Sequence, residues 1–196
     1  MRRKSVVERV TKETRIALTL ALDGTGQVAA ETGVPFLDHM LSAFARHGHF
    51  DLKVKAVGDL GVDAHHTVED LGLVMGQAIR EALGDKAGIR RFGSALIPMD
   101  EALARVVLDL SGRPYLGYRV RLDTALVGGV NARLFREFFQ ALANAGGLSI
   151  HIDLLVGEEA HHIVEAIFKA FGKALAQAVE PDPRGTGIPS TKGVLA

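Results

Sequence analysis

The sequence predicts an α/β (α+β) fold. It reads as an internally duplicated β-β-β-α-β-α unit, giving two mixed four-stranded sheets with helices packed between them. Three observations carry this. The stretch AHHTVED at 64–70 returns as AHHIVEA at 160–166, 96 residues later. The same order of strand-like and helix-like segments surrounds both copies. The join, GDKAGIRRFG, is too short for a linker, so halves spanning 1–90 and 91–196 are expected to fuse as one domain.

The elements follow in order. SVVERVTK supplies a leading strand. RIALTLALDGTGQVAAET (15–32) reads as two strands around a glycine turn at DGTG. VPFLDHMLSAFARHG (34–48) places Leu37, Leu41, Phe44 and Ala45 at helical spacing, with proline near its start and glycine at its end. DLKVKAVG (51–58) alternates as a half-buried strand, and 65–83 is helical. In the second half GSALIPM is the leading strand, and residues 101–122 read as a hairpin turning near SGRP. Residues 131–147 form an amphipathic helix opening on asparagine, 149–157 a strand, and 161–179 the last helix.

Composition narrows the function classes. Of 196 residues 47% are hydrophobic, enough for a core rather than disorder. Lys+Arg and Asp+Glu are both 23, so no global charge points to nucleic acid or a membrane surface. There is no cysteine, which removes disulfides and thiolate metal sites. The basic start lacks the apolar core of a secretory signal, and no run approaches the ~18 apolar residues of a membrane span. A soluble cytoplasmic protein is expected, without nucleic-acid or membrane partners.

The duplicated cluster is the chemical signal. On a helix His65 and Glu69 are i, i+4 neighbours, and His66 and Glu69 are i, i+3. Adjacent histidines diverge by about 100° around the axis, so they suit two ions or two partners rather than one. The second copy offers His161, His162 and Glu165. Together these four imidazoles and two carboxylates suit borderline divalent metals. The bland alternative, two copies of a folding unit sharing their buried apolar positions, explains the periodicity but not the shared histidines, unless the duplication simply copied a surface His-His pair. His39 in FLDHML alone reads as a polar helix position. His151 in SIHID, facing away from Ile150 and Ile152, reads as an exposed strand position. His47 and His49 sit at a helix end, where histidine is favourable for structural reasons.

FLDHML, DAHHTVEDLG, IPMDEAL, DLSGRP, SIHI, HHIVEAIFKAFGKAL and IPSTKG, in this order from about Arg9 to the C-terminus, resemble the imidazoleglycerol-phosphate dehydratase family of histidine biosynthesis. The likeness is to the form without a fused phosphatase domain. It implies a duplicated α/β fold and a dinuclear site, usually with two Mn2+, other divalent metals being possible. The implied ligands are His39, His65, His66, Glu69, His151, His161, His162 and Glu165. It also implies self-association to a 24-mer with active sites between subunits.

The implied reaction is dehydration of D-erythro-imidazoleglycerol phosphate to imidazole-acetol phosphate. The metals favour an imidazolate of the substrate ring, which expels the neighbouring hydroxyl to give a diazafulvene. Loss of the next proton gives an enol and then the ketone. Glu13 in TKET matches the family's catalytic glutamate, although alone it reads as a charge between two strands. Metal-bound Glu69 or Glu165 are further candidates for proton delivery to the leaving hydroxyl, and Glu101 is a loose repeat echo of Glu13. Arg91, Arg113, Lys169, Ser190 and Lys192 match phosphate contacts, with Arg90 less favoured. By composition the segment PDPRGTGIPSTKGVLA is a flexible tail. The functional reading makes it an ordered or closing segment.

Two rival classes make different demands. A two-metal phosphate hydrolase would release inorganic phosphate and favours aspartate-rich ligands. A non-catalytic metal-organised assembly protein would need the histidines but neither Glu13 nor the Arg91 and Arg113 pair.

Overall fold

Alternating burial builds the first sheet. The structure, a computed structural model, describes residues 3–195. In β1 (Lys4–Val10) Ser5 and Val7 face inward. In β2 (Thr14–Ala21) Thr14, Ile16, Leu18 and Leu20 do so, and in β4 (Asp51–Gly58) Leu52, Val54 and Ala56. With the short β3 (Val28–Glu31) the order is β1-β2-β4-β3; the first two pairings are antiparallel and β4–β3 is parallel. The second sheet, from β5 (Phe92–Met99), β6 (Ala102–Asp109), β7 (Tyr115–Arg119) and β10 (Ser149–Val156), repeats this as β5-β6-β10-β7. Its β10–β7 pairing is again the parallel one. Both sheets are mixed and four-stranded, as the sequence predicts.

The pairing inside each sheet differs from the sequence reading. Residues 101–122 do not form a hairpin, because β10 lies between β6 and β7. Likewise β4 separates β2 from β3, so the strands around DGTG are not neighbours. In each half the later strand enters the centre, and the Asp51 carboxylate at the start of β4 accepts the amides of Thr25 and Gln27 from the intervening loop. The hairpins are β1–β2 and β5–β6, whose turns carry Glu13 and Glu101.

Four helices fill the space between the sheets: α1 (Pro35–Gly48), α2 (His65–Leu83), α3 (Leu134–Gly146) and α4 (Ala160–Val179). α1 starts with proline and ends on His49 in a left-handed cap, φ 57°. α2 packs on β1 and β2, and α4 on β5 and β6. Across the layer α1 meets α4 and α2 meets α3. The crossings are close. A Cβ at Gly76 would collide with the Leu142 carbonyl, and one at Gly172 with the Phe44 carbonyl. Phe44, Phe135, Phe138, Phe139, Phe168 and Phe171 are fully buried there.

α3 begins three residues later than the sequence suggests. Residues ahead of it fold into a small hairpin, β8 (Leu126–Val127) with β9 (Val130–Asn131), turning on Gly128 and Gly129 at φ 57° and 78°. The C-terminal segment is tied down. Ile89 bridges Pro181, Gly88 N–H donates to the Gly187 carbonyl at 2.9 Å, and the Arg91 guanidinium donates to the Pro189 carbonyl at 2.8 Å. Among the described residues no helix is long and apolar enough to cross a membrane.

Candidate metal centre

The second copy of the repeated motif opens α4. Glu159 caps the helix by accepting the His161 amide. One turn on, Glu165 points back, so His161 Nε2 lies 3.3 Å from its carboxylate. His39, on α1 packed across from α4, brings Nε2 to 3.2 Å from the same oxygen. The ligand atoms of His39, His161 and Glu165 all lie within 4.8 Å of one another. Phe36 is edge-on to both rings, at 5.0 Å from His161 and 6.4 Å from His39 between centroids. Glu165 is buried, and burial opposes its charge. Lys169, one turn further at 2.7 Å, and His39 nevertheless hold its carboxyl below the usual range. A cleft of about 380 Å³ opens beside His161, lined by Thr124, Gly128, Glu158 and Glu159.

The first copy opens α2 and is barer. His65 and Glu69 lie 3.5 Å apart, and both are about half exposed. Among the described residues neither joins a third metal-ligating group as His161 and Glu165 do. His151 is elsewhere again. Ile150 and Ile152 are buried toward the helices, so His151 stands on the outer face of its sheet, against Tyr115 at 5.3 Å and near Arg119.

The second histidine of each repeated pair shares one arrangement. His66 Nδ1 donates to Asp59 at 2.9 Å, and its Nε2 is 3.8 Å from Glu13. His162 Nδ1 donates to Glu101 at 2.8 Å, and its Nε2 is 3.8 Å from Asp100. The carboxylate hydrogen bond raises the pKa of each imidazole and, with backbone donors, holds Glu101 at about 2. A carboxylate on Nδ1 orients a ring so that Nε2 faces outward to a ligand. Sequence reasoning missed Asp59 altogether. It cast Glu101 as an echo of Glu13, whereas by contact Glu101 matches Asp59 and Asp100 matches Glu13.

The phosphate candidates do not gather in one place. Arg91 sits at φ 72° with its guanidinium bidentate on Asp109, at 2.7 and 3.0 Å. Its third contact, to Pro189, brings it beside Ser190. The Ser190 hydroxyl accepts the Lys192 amide. Lys169 is at the metal-ligand trio. Arg113 is exposed, and among the described residues its guanidinium has no ion-pair partner. Arg90 is engaged by Glu180 at 2.8 Å.

Comparison with known proteins is consistent across the whole chain. The family model for imidazoleglycerol-phosphate dehydratase matches residues 32–175. Proteins of that name from Geobacter sulfurreducens and Trichlorobacter lovleyi are 57% and 59% identical, over 100% of both chains. The crystal structure from Staphylococcus aureus aligns with TM-score 0.83 at 40% identity, covering 91% of this chain and 99% of that one. The one from Pyrococcus furiosus aligns with TM-score 0.84 at 41% identity, covering 96% and 100%.

Proposed function

The chain belongs to the imidazoleglycerol-phosphate dehydratase family, and from that premise we propose how its residues divide the work of a hydro-lyase in histidine biosynthesis. The observation that carries the reading is the trio His39, His161 and Glu165, two imidazoles and one carboxylate converging from two helices. That donor set fits a borderline divalent cation such as Mn2+. His65 with Glu69 supplies part of a second position, and His66, His151 and His162 supply the remaining ligands.

These ligands cannot all meet inside one chain as it folds. His151 lies across its sheet from the helix layer, and among the described residues neither His66 nor His162 joins the trio, their Nε2 atoms lying 3.8 Å from Glu13 and Asp100 instead. Two metals per site therefore call for ligands from neighbouring copies, which supports a homo-oligomer, read here as a 24-mer, in the cytoplasm. The division into halves 1–90 and 91–196, fused as one domain, belongs to the same reading and is supported by their equal strand order.

The substrate loses a hydroxyl from the carbon attached to its imidazole ring and a proton from the next carbon. No carbonyl acidifies that C–H bond. Bound divalent cations would supply the missing driving force by lowering the ring N–H pKa. Glu13, within 4 Å of His66 Nε2, takes the carbon-bound proton. Glu165 or Glu69 relays to the departing hydroxyl the proton given up by the ring N–H, so that it leaves as water; the proton taken by Glu13 returns to the ring, and the enol left behind becomes the ketone with its phosphate intact. Arg91, Arg113, Lys169, Ser190 and Lys192 hold the phosphate. Arg91 is oriented by Asp109, and its Nη1 donates to the Pro189 carbonyl, which holds the guanidinium next to Ser190.

The direct test is to incubate the manganese-loaded protein with imidazoleglycerol phosphate and follow the ketone. Turnover without release of inorganic phosphate is expected. Absence of turnover with manganese bound would overturn the reading.

A further inference from the structure

A second cavity borders the cleft beside His161, with Thr124 in the wall of both, but none of the repeated histidines lines it. It has a volume of about 680 Å³ and is walled by β7, the segment 120–125 and the start of α3. Three arginines line it: Arg121, Arg133 and Arg136. The acids nearby do not cancel them. Arg121 meets Asp123 at 3.5 Å with both side chains almost fully in solvent, where such a pair is weak. Arg136 meets Glu137, also in the wall, at 3.2 Å. Among the described residues Arg133 has no carboxylate within ion-pair reach.

Two further features converge on the same space. The N-terminus of α3, a 13-residue helix, opens here; Asn131 Oδ1 accepts the Arg133 amide at 3.0 Å, the N-cap residue Arg133 itself caps nothing, and Asn131, Arg133, Arg136 and Glu137 line the cavity around that end. Backbone N–H groups at a helix start favour an anion. Independently, Tyr118 lines the cavity, and its hydroxyl is buried with no hydrogen-bond partner. Buried hydroxyls are nearly always satisfied, so an unpaired one in a cavity wall marks a missing acceptor. Burial also raises its pKa, which keeps it a donor.

We propose that this cavity is a binding site for a small multiply charged anion, a phosphate or a dicarboxylate, held by Arg121, Arg133, Arg136 and the Tyr118 hydroxyl at the start of α3. The site belongs to the second half alone. The matching helix, α1, begins on proline, and its first-turn Asp38 carboxylate is turned back onto Thr32, whereas the first-turn acid of α3, Glu137, pairs with Arg136. The residues proposed for dehydration are not part of it, so it is suited to an effector rather than to the reacting substrate.

The test is calorimetric titration of the metal-loaded, full-length protein with inorganic phosphate and, separately, with succinate. At least one should show saturable binding that weakens tenfold or more in the Arg133→Gln/Arg136→Gln double variant and persists in Arg113→Gln. Phosphate-only or succinate-only binding identifies which anion class the site takes. If the double variant does not fold, Tyr118→Phe carries the test, with binding expected to weaken several-fold at unchanged thermal midpoint. No saturable binding, or binding lost in Arg113→Gln and kept in the double variant, overturns the proposal. So does a change in assembly mass in the double variant with no change in anion binding, which would mean that the face meets a second copy.

Discussion

At the start of α4, His161 and Glu165 have His39 beside them and Lys169 bonded to the carboxylate. At the start of α2, His65 and Glu69 have neither. The helix packed across from α2 is α3, and nine residues before its terminal Gly146 stands Glu137, whereas nine before Gly48 in α1 stands His39. One turn beyond Glu69 is Leu73 rather than a lysine. Two copies of one motif on one scaffold have thus been given different company. Lys169 comes from the same helix one turn on and His39 from the opposite half of the chain, so the helix's own sequence and the helix facing it together set what is gathered there.

The sharpest way to break this comparison is at the two carboxylates facing the Nε2 atoms. Glu13→Gln is expected to cut turnover by ~10²–10⁴-fold with metal content retained. Its counterpart Asp100→Asn is expected to stay within a few-fold of the parent in the same steady-state assay. Equal losses would mean that the halves are chemically interchangeable. Next in size, His39→Ala should lower bound manganese by about half by elemental analysis, because it removes a member of the converged trio. Glu137→Gln, at the matching position on α3, should leave metal content unchanged.

The orienting carboxylates should behave alike. Asp59→Asn and Glu101→Gln are each expected to weaken metal affinity about 10–100-fold in competition with a chelator. In metal-free protein, imidazole NMR should show the titrations of His66 and His162 falling toward the ordinary histidine value in these variants, since each hydrogen bond raises the pKa. The sign for stability follows. The raised pKa contributes most when the ring is protonated, and the contribution is lost as pH rises through the folded-state value. The smallest expected difference lies in the crossings. Gly76→Ala and Gly172→Ala should each cost about 1–3 kcal/mol in denaturant unfolding, because both force a Cβ onto a facing carbonyl. Unequal costs would show that the two crossings are not equally rigid.

Much of this was legible in the sequence. α2 spans the residues its periodicity predicts, and α4 and β4 match to within a residue, because local apolar spacing decides them. What was not legible is non-local. Nothing in VVLDL or YLGYR says that a strand from 40 residues later will separate them, since sheet neighbours are chosen by the whole fold. The approach of His39 to Glu165, 126 positions apart, depends on how α1 crosses α4 and entered only through the family resemblance. Asp59, in a loop, carries no periodic signal that ties it to His66. Two missed features did have a local signal: Gly128-Gly129 between apolar pairs marks the β8–β9 turn, and the i, i+4 spacing of Glu165 and Lys169 marks their ion pair.

The helix layer has a consequence for the chain as an object that can be cut. α1 finds its partner in α4 and α2 finds its partner in α3, so every principal helix crossing joins one half to the other. Cleaved in the loop after α2, each fragment alone would leave a sheet's worth of helices with their apolar sides in water. Co-expressed, the fragments should find each other and restore the fold. In packing terms the single chain is a dimer whose two subunits happen to share a tether, and a half-length gene product pairing with its own twin would have to repack both crossings, with α1 facing α2 in place of α4.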